Sequence, residues 1–191
     1  MSESGIKRVV IEQVEPQIDC GRYPVKRVAN EPLTVRADVF GDGRDAVRAV
    51  LRLRRVSQAD WLEYPMRFLG NDRWEGVCVA DEPGDYVYVI AGWVDHFATW
   101  RSDLLKKRSA HQDLSVEFLI GAGLLRSAAR HAVPVAAEVM LAMADVLESQ
   151  EGDDRKVQIV ESDELERLTG RYSDPDAVTV CEHEYPLTVE R

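Results

Sequence analysis

Between Pro83 and Leu125 the spacing of apolar residues changes period without an intervening linker, and this change constrains the fold more than any other feature of the chain. In PGDYVYVIAGWVDHFATW a Pro-Gly turn is followed by strict alternation. Tyr86, Tyr88 and Ile90 fall on one face and Val87, Val89 and Ala91 on the other, the period-2 pattern of a strand. After Trp100, apolar residues recur every three or four positions through DLLKKRSAHQDLSVEFLIGAGLL, the period of a helix. One polypeptide must therefore carry a sheet with a helical segment fused directly to it.

Upstream, short runs punctuated by turn residues read as strands over Val9 to Val14, Val25 to Val28, Leu33 to Phe40, Val47 to Val56, Leu62 to Leu69, Trp74 to Val79 and Tyr86 to Phe97. Gly41-Asp42-Gly43 and Gly70-Asn71-Asp72 supply left-handed turn positions, and Glu82-Pro83-Gly84-Asp85 predicts a hairpin between the strands it separates. In LRLRRV, Leu51 and Leu53 alternate with Arg52 and Arg54, as on a strand with one solvated face. Strands at this spacing predict an immunoglobulin-like β-sandwich, with Trp74 and Trp93 in its core and Tyr86 placed like a tyrosine corner.

From Asp113, a candidate cap, Leu114, Phe118, Gly121, Leu125 and Ala128 recur at helical spacing. Pro134 suits the first position of a second helix, Val135 to Leu147. The pair predicts an α-helical hairpin whose apolar faces are wider than one neighbour covers. Leu125, Met140, Met143 and Leu147 are therefore candidate interface residues, and a homodimer through Asp113 to Leu147 is expected. Asp95 and His96, at the end of the long strand, are polar interface candidates, against the alternative of a strand-end hydrogen bond. An acidic loop SQEGDDRK, the segment VQIVES, a short helix DELERLTG and a strand near Val178 to Val189 complete the chain. The expected class is α+β: a sandwich of residues 1–98 and 173–191 with an inserted helical segment at 99–172.

The net charge of −10 is unevenly placed, since 17 of 24 basic and 17 of 34 acidic residues precede Ser109 and leave 7 against 17 after it. That balance argues against nucleic acid as a partner, whose binding needs a basic face. No run of about 18 apolar residues is present to cross a bilayer, and MSESGIKRVV lacks the apolar core of a secretory signal, so no membrane partner and a cytoplasmic location are expected. Cys20, Cys78 and Cys181 are odd in number and far apart, which predicts buried, reduced thiols.

Motifs for chemistry are sparse. His96, His111, His131 and His183 sit in no zinc-binding spacing, and no G-x-S-x-G elbow exists, so neither a metal nor acyl transfer is expected. Gly121-Ala122-Gly123 lacks the third glycine of a dinucleotide fingerprint and falls within a helix, which favours close helix packing over a cofactor. Carboxylates such as Asp153 and Asp154 lie in a polar loop rather than converging on a cleft, as glycosidic chemistry needs. Trp61, Trp74, Trp93, Trp100, Tyr86 and Tyr88 could stack on sugar rings only if several lined one face.

Longer phrases carry a resemblance. RVVIEQVEPQIDCGRYPVKRV, LGNDRW, GWVDHFATWRSDLLKK, HQDLSVEFLIGAGLL and YPLTVER resemble the N-terminal region of the bacterial α-1,4-glucan:maltose-1-phosphate maltosyltransferases of glycoside hydrolase family 13. The resemblance implies a sandwich with a helical insert, both contributing to a homodimer, ahead of a catalytic (β/α)₈ barrel that holds the nucleophilic Asp and the acid/base Glu. No position of this chain matches those catalytic residues, so the chain is expected to be a non-catalytic structural and dimerisation module of a glycosyltransferase, partnered by the barrel of the same polypeptide. Two other readings stand beside it: a module that binds α-glucan and guides the acceptor, and a stand-alone protein-interaction domain. No catalytic, cofactor or metal residue is assigned.

Overall fold

The computed structural model describes residues 9–43, 45–171 and 177–191. Eight strands come first: β1 (Val9–Glu15), β2 (Val25–Val28), β3 (Pro32–Gly41), β4 (Val47–Arg55), β5 (Leu62–Pro65), β6 (Arg67–Gly70), β7 (Arg73–Val79) and β8 (Gly84–Val94). Five helices follow: α1 (His96–Ser109), α2 (Ser115–Ala129), α3 (Pro134–Glu148), α4 (Asp153–Val160) and α5 (Asp163–Arg171). Two short strands, β9 (Thr179–Val180) and β10 (Tyr185–Glu190), complete the mixed α and β architecture. The chain forms two compact units, one bounded by Met1–Gly43, Val47–Val94 and Val178–Arg191, the other by Arg44–Ala46 and Asp95–Ala177. The expected boundary at 172–173 and Arg44 of the Gly41–Asp45 turn lie outside the described residues.

In the first unit, one sheet runs β1-β3-β7-β6 and the other β2-β10-β8-β4-β5, with β9 also on β8. Alternation selects the faces: Leu33, Val35, Ala37 and Val39 of β3, Leu51 and Leu53 of β4, and Tyr86, Tyr88 and Ile90 of β8 all enter one shared core. Arg52 and Arg54 take the opposite face of β4, where Arg52 pairs with Glu63 at 2.7 Å and Arg54 lies 4.8 Å over the Trp61 ring. Both strands of the final segment pair antiparallel with β8, and β10 runs parallel to β2.

Four details depart from the sequence expectations. The run Leu62 to Leu69 is two strands in different sheets, because Pro65 has no N–H to continue the ladder and Met66 turns its side chain into the core. The Pro83-Gly84 turn is no hairpin: β7 pairs with β3 and β6 while β8 pairs with β4 and β10, so the turn carries the chain from one sheet to the other. Arg55 braces that corner by donating to Glu82 Oε2 at 2.6 Å and to Pro83 O at 2.9 Å, and Tyr86 Oη donates to Glu82 O at 2.9 Å. Trp93 has the opposite parity to Ile90 and Val94 and lies half-buried outside the shared core, whereas Trp74 packs against it and donates Nε1–H to Val39 O at 3.1 Å. Cys20 is exposed, in a turn with Asp19 and itself at positive φ, while Cys78 is buried and Cys181 half-buried.

In the second unit, β8 stops at Val94 and not at Phe97, because Asp95 caps α1: its Oδ1 accepts from Ala98 N at 2.9 Å. Phe97, Trp100 and Leu104 then follow at helical spacing into a helical core. Asp113 lies one residue before the N-cap position of α2 and accepts from both N and Oγ of Ser115, which holds its carboxyl below the usual range. The acidic loop is partly helix: Asp153 and Asp154 open α4, where negative charge suits the helix N-terminus. Gly121 meets Trp100 so closely that a Cβ there would lie 2.0 Å from the indole Cζ2, while a Cβ on Gly123 would meet nothing within 4 Å.

Two measurements check this packing. Gly121→Ala forces the Trp100 indole to move and is expected to lower stability by about 1–3 kcal/mol, while Gly123→Ala removes only chain entropy and is expected to raise it by about 0.5–1 kcal/mol; urea unfolding of both variants reads the opposite signs. Burial pushes the Cys78 thiol up to about 12, so a thiol reagent at neutral pH is expected to modify Cys20 rapidly in the folded chain and Cys78 only after unfolding. Rapid native labelling of Cys78, read by peptide mass mapping, would contradict the burial.

Candidate functional site

The helical unit exposes apolar side chains on one face of α2. Its helices are tied together by charged staples. Arg126 of α2 donates to Asp145 (2.9 Å) and Glu148 (2.6 Å) of α3. Arg101 of α1 reaches Glu166 of α5 at 3.1 Å, and Arg108 reaches Glu161 at 3.2 Å. Glu117 of α2 is 6% exposed and carries Lys107 of α1 on its carboxylate, while its backbone oxygen accepts from Trp100 Nε1 at 2.7 Å. A buried carboxylate requires such a partner. These links fix which face of α2 turns inward: Phe118, Gly121, Ala122, Leu125, Ala128 and Ala129.

The opposite face of α2 is also apolar. Val116, Leu119 and Ile120 are 60%, 58% and 48% exposed, and their i, i+3, i+4 spacing puts them on one side of the helix, followed by the open position Gly123. Val133 and Val135 at the start of α3, and Leu141 further along it, are exposed as well. A helix apolar on two sides is ordinarily covered on both.

The expected interface residues separate into three groups. Leu125, Met140 and Leu147 are enclosed by the chain's own helices, at 0%, 0% and 1% exposure, and Met143 is half-buried against the same core, so this stripe closes the monomer's helical layer rather than facing outward. Asp95 is buried as the α1 cap, and its backbone adds an N–H donated to Ala46 O at 2.7 Å. His96, the first residue of α1, is exposed. The i, i+3, i+4 spacing of Val116, Leu119 and Ile120 is a signal the sequence carries, but only the folded unit distinguishes the covered stripe from the open one.

The aromatic residues do not form one platform. Trp100 is buried in the helical core, Trp74 packs at 5.2 Å from Phe68 beside the sheet core, Trp61 stacks with Arg54, and Tyr88 is buried against Tyr185 at 5.5 Å. Among the described residues, no group of three or more His, Cys, Asp or Glu side chains could hold a metal ion, and no helix is long and apolar enough to cross a membrane.

A family model described as alpha-1,4-glucan:maltose-1-phosphate maltosyltransferase, domain N/S, matches residues 7–191. The chain belongs to this family. Among its relatives, the maltosyltransferase of Chlorobaculum tepidum is 48% identical over 128 residues, 67% of this chain and 19% of that protein. The enzyme of the same name from Myxococcus xanthus is 50% identical over 128 residues, 65% of this chain and 19% of its own length. That of Methylacidiphilum infernorum is 34% identical over 185 residues, 97% of this chain and 27% of its own length. The chain thus spans between about a fifth and somewhat over a quarter of these maltosyltransferases, and the N/S match covers both of its compact units.

Proposed function

We propose that this chain is the non-catalytic structural and dimerisation portion of a cytoplasmic maltosyltransferase that extends α-1,4-glucan from maltose 1-phosphate, with the chemistry carried by a barrel of the same polypeptide. The two sheets are an immunoglobulin-like sandwich, a reading supported by their shared core and by Tyr86, whose hydroxyl bonds back to Glu82 O as a tyrosine corner does. The helical segment, expected at 99–172, is an insert between sandwich strands.

One observation carries the dimer: α2 keeps Val116, Leu119 and Ile120 exposed on the face away from its own core. Burying each large side chain contributes roughly 1.5–3 kcal/mol, and a twofold arrangement that sets this face against its copy covers both at once. Sedimentation at tens of micromolar is expected to show a dimer, and Leu119→Glu or Ile120→Glu to yield a folded monomer. Leu125→Glu differs in kind: it places a charge in the helical core and is expected to unfold that unit. A wild-type monomer, or a dimer unaffected by Leu119→Glu and Ile120→Glu, would refute this interface.

The chain on its own is expected to release no phosphate from maltose 1-phosphate, since among the described residues carboxylates such as Glu15, Glu63, Asp95 and Glu148 are engaged in ion pairs and caps rather than paired across a cleft. Turnover that co-elutes with the pure chain in gel filtration is the result against it.

A further inference from the structure

On the outer side of α2, one line of exposed residues changes in character from end to end. Asp113, Val116, Ile120, Gly123, Ser127 and Arg130 are spaced alternately by three and four, the seam spacing of helices packed side by side, and all six are exposed. Asp113 precedes the helix, while Arg130 follows it as the C-cap, still helical at φ −66° and ψ −26°. The line therefore runs from a carboxylate through two large apolar side chains, then a glycine and a serine, to a guanidinium. Ser115 donates to the Asp113 carboxylate from both Oγ and N, which lowers its pKa and keeps it ionised. Among the described residues, Arg130 makes no ion pair and no side-chain hydrogen bond.

A second copy of this helix fits that line in one orientation. Turned end for end about a twofold axis midway between Ile120 and Gly123, it sets Asp113 beside Arg130 of the partner subunit, Val116 beside the partner's Ser127 and Ile120 beside the partner's Gly123, each pair occurring twice. Large side chains then meet small ones, and charges meet their opposites. A Cβ on Gly123 would meet nothing within 4 Å in its own chain, so the partner's Ile120 enters an open notch. Leu119, 58% exposed, flanks the seam. A parallel pair about an axis along the helices does the reverse: Asp113 and Arg130 each face their own copy, and the two glycines face each other across a gap. Like charges repel, helix dipoles aligned in parallel repel too, and unfilled space forfeits dispersion contacts.

We propose that α2 pairs antiparallel with α2 of a second copy, in the register that sets Ile120 on the partner's Gly123 and Asp113 on the partner's Arg130. This arrangement rests on the dimer reading above and adds to it which helix meets which, in which direction and at which residues. The apolar centre supplies the affinity. The charge pairs at the two ends are exposed and contribute little to it, but they select the antiparallel orientation over the parallel one.

Disulfide trapping reads the register directly. In the full 191-residue chain carrying Cys20→Ser, which removes the exposed native thiol, the double variant Val116→Cys, Ser127→Cys is expected to form a covalent dimer under oxidised glutathione, while each single variant stays uncross-linked on a non-reducing gel. Within one chain the two positions lie roughly 16 Å apart along α2, well beyond the Cα separation that a disulfide spans, so the bond forms only between copies. Gly123→Leu is expected to weaken the dimer about tenfold or more with unchanged helical circular dichroism, because a Cβ there meets open space in the single chain. Three results overturn the arrangement: cross-linking by Val116→Cys alone, which reports a parallel pair, no cross-link in the double variant, or a Gly123→Leu chain that dimerises like the wild type. Sedimentation of the wild type keeps the two proposals apart, because a dimer with any of those results loses only the register, and a monomer loses both.

Discussion

The sheet unit depends on the two-sided pairing of β8. Its antiparallel ladder to β4 runs from Val47↔Val94 to Arg55↔Tyr86, and its other edge takes β10 and β9, strands that follow the five described helices in the chain. Without that second edge the parallel β2–β10 pair would also be lost, since β2 joins its sheet only through β10. Closing so long an excursion carries an entropic cost that grows only slowly with its length, so a ladder of buried strands can offset it. Three side chains reinforce the ladder. Tyr88 donates its hydroxyl to Pro16 O, Tyr185 stacks on Tyr88, and Cys181 Sγ accepts from Ile90 N at 3.2 Å. Burial raises the pKa of the Tyr88 hydroxyl, which keeps it a donor.

The helical unit is organised by a different constraint, the close approach of α1 to α2 at Gly121. A flat indole against a position without a side chain brings Trp100 Nε1 to the Glu117 carbonyl, and the same approach sets Lys107 on the Glu117 carboxylate. The two interactions share one helix turn of α2 and fix its rotation. Once that rotation is fixed, the face carrying Val116, Leu119 and Ile120 cannot turn inward. An apolar surface left open in this way follows from the packing of the unit, and it is the reason we propose an interface on these residues rather than on Leu125 and Met140.

The proposed pairing of α2 with its copy draws on two kinds of physics. The middle of the helix face would act by removing apolar area from water, a large and non-directional term. The charges of Asp113 and Arg130 would act by setting orientation, a term with a small net value. Neither requires a group to change protonation state.

The sequence by itself determined the alternation that places Leu51 and Leu53 inside and Arg52 and Arg54 outside, the change of period after β8, Pro134 at the start of α3 and the family. Each depends on neighbours within a few residues or on the wording of the chain. It did not determine which strands share a sheet: Leu62 to Leu69 reads as one run and Pro83-Gly84 as a hairpin, yet both cross between sheets, because a turn's local geometry is compatible with either partner and the ladder is chosen by distant strands. Nor could it show that Asp95 caps α1 inside a stretch of strand-like residues, since the cap depends on the hydrogen bond its carboxylate accepts from Ala98 N. The candidate site was the least legible. Leu125 and Ile120 are equally apolar in the sequence, and only the packing of Trp100 on Gly121 decides which is covered.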